Sequence, residues 1–245
     1  MRRVVRPALS TADQTCLDRR QSAVDGDLRM GASGIERAWK TARQTKALRS
    51  VLLVLRQMTG PRERCMYCVD SHGCDIEHFR PKARFPKRAF QWSNLLLCCT
   101  ECGRLKGDQF PTANGRPLLI DPSAEDPWRY LDFDPDTGGI TARFDIDTDD
   151  WSPKGAKTVE VLRLDRREVL ENVYKATFRR LSRIVQDHLG ADGIIAPALW
   201  DALRDADDHG LLPWCFGPTG QRVAPFSDLH RQHRQVWAYC QRRSA

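Results

Sequence analysis

Cys65-Met66-Tyr67-Cys68 and Cys99-Thr100-Glu101-Cys102 are two Cys-x-x-Cys pairs with thirty residues between them. Each pair can grip one metal ion from a tight turn, and the two together complete a tetrahedral shell of four thiolates. A shell so closed leaves no open coordination position. Zinc on Cys65, Cys68, Cys99 and Cys102 is therefore expected to be structural, tying both ends of the intervening segment into a unit too small to fold alone. The competing readings are a redox Cys-x-x-Cys, which needs a βα junction and leaves the second pair idle, and two pairs of ordinary buried thiols. Cys98 can stand in for Cys99 as a ligand, and Cys74 is spare. The nine cysteines are an odd count, with six between 65 and 102, which fits metal ligation in a reducing compartment better than disulfides.

Between and beyond the two pairs run Asp75-Ile76-Glu77-His78-Phe79-Arg80-Pro81-Lys82, then Trp92-Ser93-Asn94-Leu95, then Leu105-Lys106-Gly107-Asp108-Gln109-Phe110-Pro111. In this order, with the cysteine pairs, they resemble the HNH (ββα-metal) nuclease superfamily. Within it they are most similar to the PtuB-type HNH subunit of Septu-type and retron-linked anti-phage systems. The resemblance is specific over residues 65–122 and thinner elsewhere. It implies a DNA endonuclease leaving 5′-phosphate and 3′-hydroxyl ends, and a partner ATPase (PtuA-like) that gates it.

Phosphodiester hydrolysis needs a base for the attacking water, a Lewis acid at the leaving oxygen and groups that hold the phosphate in line. His78 suits the base, since its ordinary pKa lies near working pH. Glu77 supplies a hard oxygen for catalytic Mg²⁺ or Mn²⁺. Neighbours on a strand face opposite ways, so Glu77 and His78 share a site only where that strand twists or ends. Arg80, Lys82 and Lys106 are candidates for phosphate contacts. By resemblance, Asn94 orients the base through the backbone and steadies the loop between the strands. The resemblance also places a metal ligand nine residues beyond Asn94, where this chain has Gly103; Asp75 or Asp108 is then the further carboxylate candidate. That departure motivates a first rival, an inactive HNH-like zinc module that binds nucleic acid or a partner. A second is a stand-alone homing- or restriction-type HNH nuclease.

Short strands and one short helix must carry these residues, so the expected class is α+β: a zinc-stapled ββα-metal core, residues 63–122, with helical extensions on both sides. The region 1–62 reads as helical, with Ser10 or Thr11 capping a helix over 10–22 and an apolar helical period from Ile35 to Met58 that Gly60-Pro61 ends. Leu118 to Pro122 reads as a strand and turn. The region 123–245 reads as a hairpin followed by helices. Asp132 to Gly139 has the turn chemistry of a hairpin, and lacks the Gly and Glu a calcium loop requires. Asp165 and Glu168 have the form of a capping box for a helix to Leu189, with Gly190 just beyond it. Pro197 opens another helix that Gly210 ends, and Ser227 caps a last one through Arg243. His230 and His233 read as a basic helix surface.

The net charge of +7 is unevenly spread: residues 1–116 carry 22 Lys and Arg against 11 Asp and Glu, and residues 117–245 carry 17 against 21. The half with the cysteine cluster is the one that suits a polyanion such as DNA. The longest apolar runs are far short of a membrane span, and Met1 to Pro7 is basic without a following apolar region. A cytoplasmic protein with no membrane partner is expected.

Overall fold

The computed structural model describes residues 1–27, 30–191 and 193–244. They form two compact units, Arg3–Glu125 and Asp126–Ala245 with Met1–Arg2. Both mix helices with small antiparallel sheets, so the chain is α+β. The helices expected as a separate region, 1–62, share their unit with the cysteine-rich core.

In the first unit, α1 (Thr11–Gly26) begins where Ser10 Oγ accepts the Asp13 N–H at 3.1 Å. Asp13 Oδ2 takes the Ser50 hydroxyl at 2.8 Å, tying α1 to a later helix. The apolar period from Ile35 to Met58 is divided between α2 (Ala32–Arg43) and α3 (Lys46–Met58). Thr45 breaks it: its hydroxyl and its N–H both go to the Ala42 carbonyl, at 2.6 and 2.9 Å. A side chain that satisfies a helix-end carbonyl competes with the next turn of helix.

Next come β1 (Asp75–His78) and β2 (Leu95–Cys98), paired antiparallel with Glu77 opposite Leu96 and His78 opposite Leu95. α4 (Thr100–Lys106) follows directly, which completes a β-β-α order. All four residues of β2 are buried. Gly73 permits the close approach to this strand, since a Cβ there would lie 2.3 Å from Leu97 Cδ2. The small hairpin β3 (Thr112–Ala113) and β4 (Arg116–Pro117) comes after. The expected strand at 118–120 is thereby corrected: pairing falls on Arg116–Pro117, while the turn at Asp121 stands, its Oδ1 taking the Ser123 N–H at 2.9 Å.

The second unit opens on β5 (Leu131–Phe133) and β6 (Ile140–Ala142), joined as expected by a tight turn. Gly138 adopts φ +86° there, and Asp134 binds the Asp136 N–H and Thr137 hydroxyl within the turn. A second hairpin, β7 (Phe144–Asp145) and β8 (Asp150–Trp151), precedes α5 (Pro153–Leu162). α6 (Glu168–Leu189) has no capping box: Arg163 turns left-handed at φ +50°, the chain turns through Asp165, and Arg167 becomes the N-cap residue and does not cap with its side chain. α7 (Ala196–Ala206), α8 (Leu212–Cys215), α9 (Phe226–Gln232) and α10 (Arg234–Ser244) complete the unit. Ser227 lies inside α9 after Pro225, and a break at His233 divides the expected last helix in two. No described helix is long and apolar enough to cross a membrane.

Candidate active site

The cysteine tetrad forms because each pair is pinned to the same strand. The Met66 N–H donates to the Leu97 carbonyl at 3.0 Å, and the second pair follows β2 into α4, whose cap residue is Cys99. The ligand atoms of Cys65, Cys68, Cys99 and Cys102 all lie within 4.8 Å of one another and all four residues are buried. Hydrogen bonds from Cys102, Cys65 and Cys68 hold the Cys99 thiol well below the usual range. Four buried thiols at this separation fit a zinc ion, which would be held by thiolates alone and serve as a cross-link. Cys99, rather than Cys98, belongs to the set. Cys98 sits beside it with its thiol against the Cys99 carbonyl, 3.3 Å away.

Alternation along β1 sends neighbouring side chains apart. Glu77 turns toward α4, where its Oε1 lies 3.0 Å from Lys106 Nζ, while His78 turns toward Trp39 of α2, with ring centroids 4.3 Å apart. The sequence reading let both serve one site only where the strand twists or ends, and β1 ends at His78. In the structure they leave the last two positions of β1 on opposite sides.

His78 is 4% exposed. Its Nε2 lies 2.9 Å from the Ala89 carbonyl. A carbonyl only accepts, so Nε2 carries the proton and Nδ1 the lone pair. Burial, with the charges of Lys82 and Lys106, pushes the imidazole pKa down to about 3. His78 is thus a neutral, oriented imidazole whose one basic nitrogen is Nδ1. The Ala89 carbonyl is itself positioned from α1: Gln21 Oε1 accepts the Phe90 N–H at 2.8 Å, and Gln21 Nε2 donates to the Pro86 carbonyl at 3.1 Å.

Asn94 closes the loop from the other side. Its Oδ1 accepts the Arg80 N–H at 2.8 Å, and its Nδ2 donates to the carbonyls of Arg80 and Arg88 at 3.0 and 2.9 Å. Every hydrogen-bonding atom of the side chain is engaged in holding the two loop ends together.

Among the described residues, Glu77 is the carboxylate in contact range of Gly103. A Cβ built on Gly103 would lie 3.6 Å from Glu77 Oε2 and 3.8 Å from Cys98 Sγ, both ordinary contacts. The missing side chain therefore leaves a space against Oε2. Burial raises the Glu77 pKa, opposed by the charge of Lys106. Asp75 shares the strand face of Glu77. It is paired with Arg43 at 2.8 Å, and Asp108 is exposed. Among the described residues no second group of three His, Cys, Asp or Glu side chains converges on one point.

Lys106 is corrected outright as a phosphate contact. Its side chain has no exposure, and its Nζ donates to Glu77 Oε1, the His78 carbonyl and the Gly107 carbonyl. An ammonium so enclosed cannot meet a substrate in this conformation. Lys82 is paired with Glu36 at 3.0 Å and keeps 22% of its side chain exposed. Arg80 lines a cleft, its guanidinium above the rings of Phe85 and Phe110. Ala89 and Gln21 escaped the sequence reading: one acts through a backbone carbonyl and the other from a distant helix, and neither leaves a motif.

No family model matches the chain. It is similar to Septu protein PtuB of Bacillus mycoides (strain KBAB4), at 32% identity over 154 residues, which is 50% of this chain and 49% of that protein. It is also similar to Septu protein PtuB of Bacillus thuringiensis, at 26% identity over 125 residues, 49% of this chain and 43% of that protein. The chain spans about half the length of the curated relatives it matches. Over that half the chain is related to the Septu PtuB proteins.

Proposed function

We propose that this chain is a metal-dependent HNH-type DNA endonuclease, the nuclease component of a Septu-like anti-phage system gated by a partner ATPase. The observation that carries the chemical reading is His78: a strand-end imidazole held neutral, with Nε2 fixed on a backbone carbonyl and Nδ1 left as the basic nitrogen. An unprotonated, oriented imidazole supports a base role, which further requires the loop over this 4%-exposed side chain to open to water. Glu77 Oε2, beside the space at Gly103, is the oxygen that would hold Mg²⁺ or Mn²⁺, with water and phosphate oxygens as its other ligands. The ion would stabilise charge developing on the leaving oxygen. His78 would take the proton of the attacking water, and Lys106 would fix the Glu77 carboxylate through Oε1. DNA as substrate rests on the basic balance of residues 1–116 together with the relatives' place in Septu. The partner ATPase rests on that similarity alone.

The same geometry favours a second reading, a zinc-bound module without catalysis. Lys106 already neutralises Glu77, Gly103 offers no ligand, and Glu77 and His78 diverge. Incubating the full chain with plasmid and Mn²⁺, alone and with a candidate partner ATPase, separates the two. Nicking abolished by His78→Ala establishes the endonuclease. Plasmid binding without nicking under every condition establishes the module.

A further inference from the structure

The unit Arg3–Glu125 contains a cleft of about 410 Å³ whose lining includes neither Glu77 nor His78. Arg6, Arg80 and Arg88 line it together with Asp121, Glu125 and Asn94. The Arg6 guanidinium is already committed to the carbonyls of Trp92 and Leu95 and to the Ser123 hydroxyl, at 2.7, 2.9 and 2.7 Å. Arg80 and Arg88 differ. Neither has a carboxylate bonded to it among the described residues; Arg88 bonds Gln91 Oε1, and Arg80 rests on the two phenyl rings. Their backbones are fixed by the same side chain, Asn94.

Two like charges in one cleft repel each other, and Arg80 is pushed below its usual pKa by partial burial and by Arg88, against the opposing charge of Asp121. A bound anion relieves that repulsion, and phosphate oxygens suit guanidinium donors. The cleft is larger than a lone phosphate needs and falls in the size range of small-molecule sites. The carboxylates exclude a second anion and accept N–H donors. Both bonds to Asp121 fall on Oδ1, at 2.9 and 2.7 Å, which leaves Oδ2 as the acceptor. The matching ligand is anionic at one end and donor-rich at the other.

We propose that this cleft binds a nucleoside phosphate, with the phosphate bridged by Arg80 and Arg88 and the donor edge of the base turned to Asp121. The inference rests on the nuclease reading only for the source of that group, a substrate strand. Free nucleotide carries the same chemistry.

The test is binding to the zinc-loaded full chain without added divalent metal, so that no cleavage intervenes. Deoxyguanosine 5′-monophosphate, whose base has two adjacent N–H donors, is titrated beside inorganic phosphate and deoxyguanosine. The nucleotide is expected to bind at least about tenfold more tightly than either fragment, since both ends of the cleft contribute. Arg80→Gln with Arg88→Gln removes that advantage, while thermal melting shows the fold retained. Arg84→Gln with Lys87→Gln removes equal charge from exposed positions in the same loop and shifts affinity by less than about twofold. Displacement of a labelled single-stranded oligonucleotide by the nucleotide identifies a strand as the source; binding without displacement identifies free nucleotide. The proposal fails if the nucleotide binds no better than phosphate, or if both double variants weaken it equally. Either failure leaves the His78→Ala cleavage result untouched.

Discussion

Lys106 Nζ lies 3.0 Å from Glu77 Oε1 and 2.7 Å from the His78 carbonyl, in a side chain with no solvent exposure. Removing one partner of a buried ion pair leaves the other charge stranded, at a cost of about 3–5 kcal/mol. Lys106→Met is therefore expected to lower the urea midpoint steeply. Glu77→Gln combined with Lys106→Met should cost less than the two single changes summed, by more than about 1 kcal/mol. Strict additivity in that cycle would show that the pair is not coupled.

The space at Gly103 gives a prediction of opposite sign. Gly103→Ala places a methyl at ordinary contact distances and removes a glycine from α4, so a gain of about 0.5–1 kcal/mol is expected. Gly103→Asn or Gly103→His adds a donor beside Glu77 Oε2, and Mn²⁺ affinity by calorimetry should rise about tenfold or more. Unchanged affinity would place the ion elsewhere.

Zinc should appear at one equivalent per chain by mass spectrometry of the metal. Serine at Cys65, Cys68, Cys99 or Cys102 should abolish that equivalent and unfold the core, because binding of structural zinc contributes on the order of 10 kcal/mol. Cys98→Ser is the control that retains it. Loss of zinc in the control, with retention in Cys99→Ser, would exchange the two ligands.

The imidazole of His78 should stay neutral through pH 5 when followed by NMR. Its folded pKa lies below the ordinary 6.5, so the unfolded chain takes up the proton first. This residue's contribution to stability is present above pH 6.5 and is lost as the pH falls from there toward about 3. If the nuclease reading holds, cleavage should show no His78 inflection near pH 6.5. A titration midpoint between 6 and 7 would contradict the burial.

Tyr67 is 1% exposed and its hydroxyl has no hydrogen-bond partner among the described residues. An unsatisfied buried hydroxyl costs about 1–3 kcal/mol. Tyr67→Phe should therefore raise the melting temperature without loss of zinc. A decrease would reveal a partner that the static structure lacks.

Local chemistry was legible in the sequence and burial was not. The zinc ligands could be read because a Cys-x-x-Cys turn brings two thiols together whatever surrounds it, and the β5–β6 turn because Asp134 and Gly138 settle it within a few residues. Lys106 was misread because a lysine's side chain gives no sign of whether tertiary packing will enclose it. Thr45 hid the break between α2 and α3, since its apolar neighbours keep the helical period on both sides. The divergence of Glu77 and His78 was stated in the strand period itself.

The clamp made by Asn94 has a consequence for how such a protein can change. Because one amide fastens Arg80 and Arg88 while Ala89 holds the imidazole, and Lys82, Phe85 and Pro86 are held by Glu36, Phe110 and Gln21, change between the anchors is least costly at the exposed Ala83, Arg84 and Lys87. Lineages could recompose those three positions while inheriting the same chemistry beneath them.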